Sequence, residues 1–303
     1  TIVSVHALVI ETSDKCIIVD TCLGNDKERH IPAWNNLQTK FLEDLERAGY
    51  KTTDIDTVLC THLHTDHVGW NTVLINDKWE PTFKKADYLF GKDEWNYTEK
   101  QIKIPAYAEF INDSIIPIIE SGLVKFVEVD EKICEEVRLE PTIGHTPGHV
   151  SIKIESKGKR ASITGDFLHH PCQMEKLDWI SSADWNPELA KEVKSYIFTF
   201  DDIATLQDIA VQKIVAEVDA KIMAIALKTT TEEMKDKVVK NMSERAAEML
   251  QDEMQYVKDV PEKDVDDAQR KVMVALRDLQ GKNEITLIPC LLYTSDAADD
   301  DRS

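Results

Sequence analysis

Apolar residues come in short β-branched runs through the first 185 positions and at helical spacing beyond them. The runs Val5–Ile10, Cys16–Asp20, Asp56–Thr61, Val124–Val129, Val150–Glu155 and Arg160–Gly165 have the length and composition of strands. Between the second and third, Leu37, Phe41, Leu45 and Ala48 follow three- and four-residue steps. That spacing predicts an amphipathic helix over Asn35–Gly49, closed by Gly49. Strands alternating with helices predict an α/β layered domain. From Asn186 to about Ile288 the strand pattern is gone. There Val265, Ala268, Val272, Ala275 and Leu279 trace one buried stripe, with Gly281 as its stop, and an all-α module is expected. Two patterns in one chain predict two separately cored domains.

Composition narrows the partners. The 303 residues are enough for about two domains, and 42% apolar content is ordinary for globular cores. With 36 basic against 56 acidic residues, the net charge of −20 repels phosphate backbones and anionic membrane surfaces, so no nucleic-acid partner is expected. The six cysteines form no Cys-x-x-Cys pair and read as reduced thiols of a cytoplasmic protein. No apolar run reaches the roughly 20 residues of a membrane span, so no membrane insertion is expected. The opening TIVSVHALVI has neither an initiator Met nor a signal-peptide layout and reads as the start of a fragment.

The chemistry concentrates at Thr61–Trp70, where His62, His64, Asp66 and His67 follow a predicted strand. On an extended backbone His62 and His64 point the same way and can grip one cation. If the chain then turns into a helix, Asp66 and His67 face a neighbouring position and supply a second. A catalytic zinc takes about three protein donors and keeps one place open for water. Further donors stand at other predicted strand edges, His149 in the turn Gly144–Ser151 and Asp166 in Thr164–Phe167. Ordinary surface and core histidines are the competing reading, and the combined array is too specific for it.

The series His-x-His-x-Asp-His at 62–67, then His149, then Asp166, resembles the metallo-β-lactamase superfamily over residues 1–185. The resemblance implies a partial αββα sandwich. It further implies one zinc on His62, His64 and His149, and a second on Asp66, His67 and a bridging Asp166. Paired divalent ions make a hydrolase the natural activity, with Asp66 as proton acceptor. Asp20 reads equally as the cap of a turn or as the support of a ligand, and His145 reads as a ligand's support or, preferentially, as solvated. The flanks are similar to the lactonase and phosphotriesterase-like branch, which implies a small ester, lactone or phosphotriester as substrate. The lactonases carry Tyr three residues after the bridging Asp where this chain has His169. His169 and His170 are pocket candidates, with a solvated loop preferred. The family's further histidine on a late strand has no counterpart, because no histidine follows His170. The second zinc site is therefore expected to be weakened and the terminal strands to be missing.

Residues 186–288 resemble the C-terminal part of the flagellar motor-switch protein G. That resemblance implies a helical rotor module whose charged positions, here Lys228, Arg245, Asp252 and Glu253, face rotor or stator partners. Pro261 stands where the family has an Arg. Residues 289–303 are similar to translated adapter peptides and are expected to have no fold. The chain then reads as a chimera joined near Asp184–Glu192. The alternatives to a zinc hydrolase are a rotor interaction module acting through the helical half, or an inactive fusion.

Overall fold

A computed structural model describes residues 4–170, 172–195, 199–257, 260–282 and 284–285, so the tail at 289–303 lies outside the described residues. The chain divides into two compact units: Thr1–His169 with Ile180–Val193, and His170–Trp179 with the chain from Lys194 onward.

In the first unit the strands are β1 (Leu8–Glu11), β2 (Cys16–Val19), β3 (Thr57–Leu59), β4 (Thr72–Ile75), β5 (Lys78–Pro81), β6 (Asp87–Gly91), β7 (Val124–Val127), β8 (Val137–Pro141), β9 (Val150–Ser156) and β10 (Lys159–Ile163). One sheet has the order β1-β2-β3-β6-β7, antiparallel at β1/β2 and parallel elsewhere; a second has the order β10-β9-β8 and is antiparallel. Side chains alternate across a strand, so the larger sheet feeds two cores. Ile18, Val58 and Tyr88, aligned in register, pack with Phe110, Ile111, Ile115 and Ile118 on the helical side. Ile17, Val19, Leu59 and Leu89 meet Val137, Leu139, Val150 and Ile152 of the second sheet. Helices, sheet and sheet thus form three layers of the α/β sandwich. The helical layer is α1 (Phe41–Arg47), α2 (Thr65–Val68), α3 (Lys92–Thr98), α4 (Pro105–Phe110), a π turn at Ile111–Ile115 and α5 (Ile116–Glu120).

Local chemistry explains where the prediction slipped. The helix expected over Asn35–Gly49 is only α1, because residues 35–39 serve the preceding loop instead. Asn35 Oδ1 accepts the Arg29 amide, the Asn36 amide donates to Lys27 O, and the Thr39 amide donates to Asn25 Oδ1. Asn36 itself takes a left-handed φ of 51°, which no helix interior accommodates. Gly49, at φ 98°, does close the helix. Strands β4, β5, β6 and β8 have no counterpart among the predicted runs. The β4/β5 hairpin turns on Asn76-Asp77, both at positive φ, a primed two-residue turn that Asn and Asp tolerate. β6 is buried on both faces and so lacks alternation.

The second unit contains α6 (Cys172–Glu175), the last residues of α7 (Pro187–Ser195), and α8 (Asp208–Glu217), α9 (Ala220–Ala226), α10 (Glu232–Lys240), α11 (Glu244–Tyr256) and α12 (Glu262–Gly281). Asp219, Thr231 and Ser243 cap α9, α10 and α11 through their side chains. Its core includes Ile214, Met223, Leu227, Met234, Leu250, Val272 and Leu276. The predicted α12 stripe is buried at Val265, Ala268, Val272 and Leu279, but Leu276 takes the central place expected of the half-buried Ala275. No described helix is long and apolar enough to cross a membrane. The cysteines of the described residues, Cys16, Cys22, Cys60, Cys134 and Cys172, are free.

Candidate metal centre

The cluster is built where β3 gives way to α2. Beyond Leu59 the chain stays irregular to His64, which caps α2 in an extended conformation with φ −73° and ψ 159°. His62 and His64 therefore turn to the same side, His62 Nε2 lying 3.0 Å from His64 Nδ1. His67 lies on α2, its ring centroid 4.1 Å from that of His62, and Asp66 Oδ2 lies 3.7 Å from His67 Nε2. The second sheet supplies the rest. His149 immediately precedes β9, and Asp166 sits on the turn after β10, its Oδ1 3.2 Å from His67 Nε2.

Three donor groups converge: His62, His64 and His145; His62, His67 and Asp166; and His145, Asp166 and His169. His145 is buried, not solvated as preferred from sequence, with 1% exposure and Nε2 at 3.0 Å from His64 Nδ1. Its place comes from tertiary packing. The Trp185 amide donates to His145 O and the Asn186 amide to Gly144 O, while a Cβ on Gly144 would meet Ala190 at 2.5 Å. His149 stands differently from expectation. Its ring lies 5.1 Å from that of His62, but Nε2 accepts the Asp166 amide at 3.0 Å and Nδ1 lies 2.8 Å from Thr142 Oγ1, so His145 takes its place among the convergent donors. His169 is a third exposed, with Nε2 at 3.2 Å from Asp166 Oδ2, so it faces the cluster and not only solvent. His170 is turned to Cys172.

Burial and the neighbouring charged groups together set the charge states. Burial drives His62 and His149 far below the usual imidazole range and His64 down to about 3, leaving neutral rings with lone pairs to donate. Burial would lower His67 too, but Asp20 and Asp166 outweigh it and hold its pKa well above the ordinary value. Burial pushes Asp166 up, yet hydrogen bonds from His169 and His67 prevail and keep its carboxyl well below the carboxylate range. Asp66 is raised, chiefly by burial. The neutral imidazoles of His62 and His64 and the firmly ionised carboxylate of Asp166, crowded in one place, are donors that suit a divalent cation; the residues fit such an ion.

Other side chains hold these donors still. Asp20 reaches the cluster: Oδ2 lies 2.9 Å from His67 Nδ1 and Oδ1 accepts the Thr61 amide. Asp184 stands 2.9 Å from His145 Nδ1. Glu94, on α3 and 1% exposed, accepts the Leu63 amide with Oε1 and the Gly148 amide with Oε2, joining the 62–67 and 145–149 loops. Arg29 donates to Thr65 Oγ1 and makes a two-pronged pair with Asp113. The sequence offered no sign of Glu94, Asp184 or Arg29, since each partner lies more than 30 residues away. In the second unit, Arg245 and Asp252 are exposed on α11 and Glu253 is half-buried there. Lys228 is half-buried, its ammonium donating to Val260 O.

The metallo-beta-lactamase superfamily profile matches residues 1–207, and the FliG C-terminal domain profile matches residues 182–287. The flagellar motor switch protein FliG of Thermotoga maritima is 44% identical over 102 residues, 34% of this chain and 30% of that protein. An N-acyl homoserine lactonase of a Bacillus species is 26% identical over 165 residues, 50% of this chain and 59% of that protein. The chain thus spans about a third to three-fifths of the length of these relatives. In fold, it is similar to a probable metal-dependent hydrolase from Staphylococcus aureus, with a TM-score of 0.56 and 22% identity over 65% of this chain and 70% of that one. Residues 182–287 are similar to the C-terminal domain of the motor-switch protein, and with 207 of its 303 residues matched the chain belongs to the metallo-beta-lactamase superfamily.

Proposed function

We propose that the first unit is a zinc-dependent hydrolase that binds two ions in the histidine cluster and acts on an ester, lactone or phosphotriester of small size. The observation that carries this reading is the convergence, in one buried cluster, of donors from the 62–67 turn, the 145–149 turn and the 166–169 turn. His62, His64 and His145 are assigned to one ion, with His149 against the ring of His62; His67 and Asp166 are assigned to the second, with Asp66 beside them. Ions held there would supply a water of pKa near 7 and polarise a carbonyl or phosphoryl oxygen. The chain's own residues do the positioning. Asp20 and Asp184 fix the ring orientations of His67 and His145, and Glu94 fixes the spacing of the two loops. Asp66 Oδ2, beside His67 and a fifth exposed, is the atom that takes the proton from the attacking water. The hydrolase is assigned to the first compact unit, Thr1–His169 with Ile180–Val193.

The test is zinc content and turnover of the purified full chain against an aryl ester, a γ-lactone and an aryl phosphotriester. Asp66→Asn should lower turnover by roughly 10²–10⁴-fold while zinc remains bound. Less than one zinc per chain together with no turnover on any of the three would end this reading.

A second reading rests on the 44% identity of the helical segment and on the spacing of Arg245, Asp252 and Glu253, which puts them near one face of α11. It makes that segment a rotor-docking module of a cytoplasmic protein. Capture of rotor or stator components that is lost on Arg245→Glu and Asp252→Lys supports it; capture that ignores both substitutions removes the charged face from the account.

A further inference from the structure

We infer that Arg29 is a positioning residue of the proposed hydrolase: through the hydroxyl of Thr65 it holds the first turn of α2, and with that turn Asp66 and His67, against Asp113 of the π turn. This rests on the hydrolase reading above and names what fixes the segment carrying its proton acceptor. α2 has four residues, and a single helical turn does not hold itself in water. Its start has no side-chain cap. Its end is tied down by backbone bonds, the Thr21 amide donating to His67 O and the Gly69 amide to Cys22 O, each at 2.7 Å. At its start Arg29 Nε donates to Thr65 Oγ1, also at 2.7 Å. Thr65 stands directly between His64 and Asp66.

Arg29 is built as a strut and not as a surface charge. Its side chain is 2% exposed, and Nη1 and Nη2 donate to the two oxygens of Asp113 at 2.7 and 3.0 Å, while Nη1 also donates to Glu28 O. A planar guanidinium gripped along one edge by a carboxylate cannot swing, so Nε keeps its aim at Thr65. Asp113 is fixed in turn: Ser114 Oγ at 2.5 Å and Lys27 Nζ at 3.3 Å both donate to Oδ1, and the Thr72 hydroxyl donates to its carbonyl oxygen. The chain of contacts therefore runs from a well-anchored carboxylate in the helical layer, through one rigid side chain, to the residue that precedes Asp66. A bond serving stability alone could end on any element; this one ends on the turn that carries the chemistry.

The experiment is steady-state turnover of the full chain on the same aryl ester, γ-lactone and aryl phosphotriester, together with hydrogen exchange of the His67 amide, whose bond to His64 O closes the turn. Thr65→Val removes the acceptor and leaves the Arg29–Asp113 pair in place. It should lower kcat by roughly 10–10²-fold with KM little changed, as a misaimed group does. It should also quicken His67 exchange by roughly 10-fold, the loss of one hydrogen bond from a charged donor. Thr65→Ser keeps the hydroxyl and should restore both. Arg29→Lys, whose point charge cannot grip Asp113 and Thr65 together, should match Thr65→Val, and the double variant should be no worse than either. Turnover or exchange of Thr65→Val equal to wild type overturns the inference and leaves the hydrolase reading intact. So does a Thr65→Ser variant as slow as Thr65→Val, or losses that add in the double variant. Wild type that turns over none of the three substrates overturns both.

Discussion

Glu94 shows how much one side chain can decide. A buried carboxylate is tolerated only where its oxygens are satisfied, and burial has already raised its pKa. It has two backbone partners, and they belong to the two loops that carry the histidines. Gly148 makes the contact feasible, because a Cβ there would lie 2.2 Å from the Glu94 amide nitrogen. Glu94→Gln keeps the shape but turns an NH2 group towards an amide donor, leaving one N–H without an acceptor. The expected cost is about 1–3 kcal/mol of stability together with roughly 10–100-fold in metal affinity, measured by competition with a chelator. Unaltered affinity would show that the loops keep their spacing without this bridge.

Among the elements, the loop between β2 and α1 is held by charge. Lys27, 1% exposed, donates to Thr72 Oγ1 at 2.8 Å, lies 3.3 Å from Asp113 Oδ1 and stands 3.7 Å above the Trp79 ring. Burial, only partly offset by Asp113, lowers its pKa from 10.5 to about 8. Below pH 8 the folded and unfolded chains both carry this charge and its burial cost is fully present. Between pH 8 and 10.5 the folded form loses the proton first, the unfolded chain binds more protons, and stability rises. Lys27→Met leaves Asp113 paired with Arg29 and removes that rise. Across this window wild type should gain up to roughly 3 kcal/mol relative to the variant in denaturant unfolding, from ~1.4 kcal/mol per pKa unit. Parallel pH profiles would mean that the ammonium is solvated after all.

At the scale of the whole molecule, each unit is cored separately: the first closes one core with Phe90 and Ile111 and another with Ile152, and the second closes a core with Val211, Leu250 and Val272. The histidine cluster lies in the first alone. Zinc at a hundred times its dissociation constant should therefore stabilise the first unit by about 2.7 kcal/mol, and chelation should lower one calorimetric transition while the other stays put. Both transitions moving together would contradict separate cores. The stretch 182–207 matches both families, yet its residues from 182 to Val193 belong to the first unit, where Asp184 and Ala190 pack against the His145 loop.

Much of this was legible along the chain because it depends on local spacing. The period-two strands, the α12 stripe and the pairing of His62 with His64 follow from backbone geometry over a few residues. The short α1 was not legible, because side-chain bonds from Asn25 and Asn35 to a neighbouring loop overrode the helical pattern. Nor was β6, whose two buried faces erase the alternation. In the cluster, the residue types were visible but not their grouping. His145 joins His62 and His64 because segments 81 residues apart pack there, whereas His169 meets Asp166 only three residues away, over the turn Gly165–Phe167. Sequence by itself determined which chemistry this chain can hold, since donor types are covalent facts. Only the tertiary structure decided which donors meet, because orientation and charge state depend on burial among side chains that are distant in sequence.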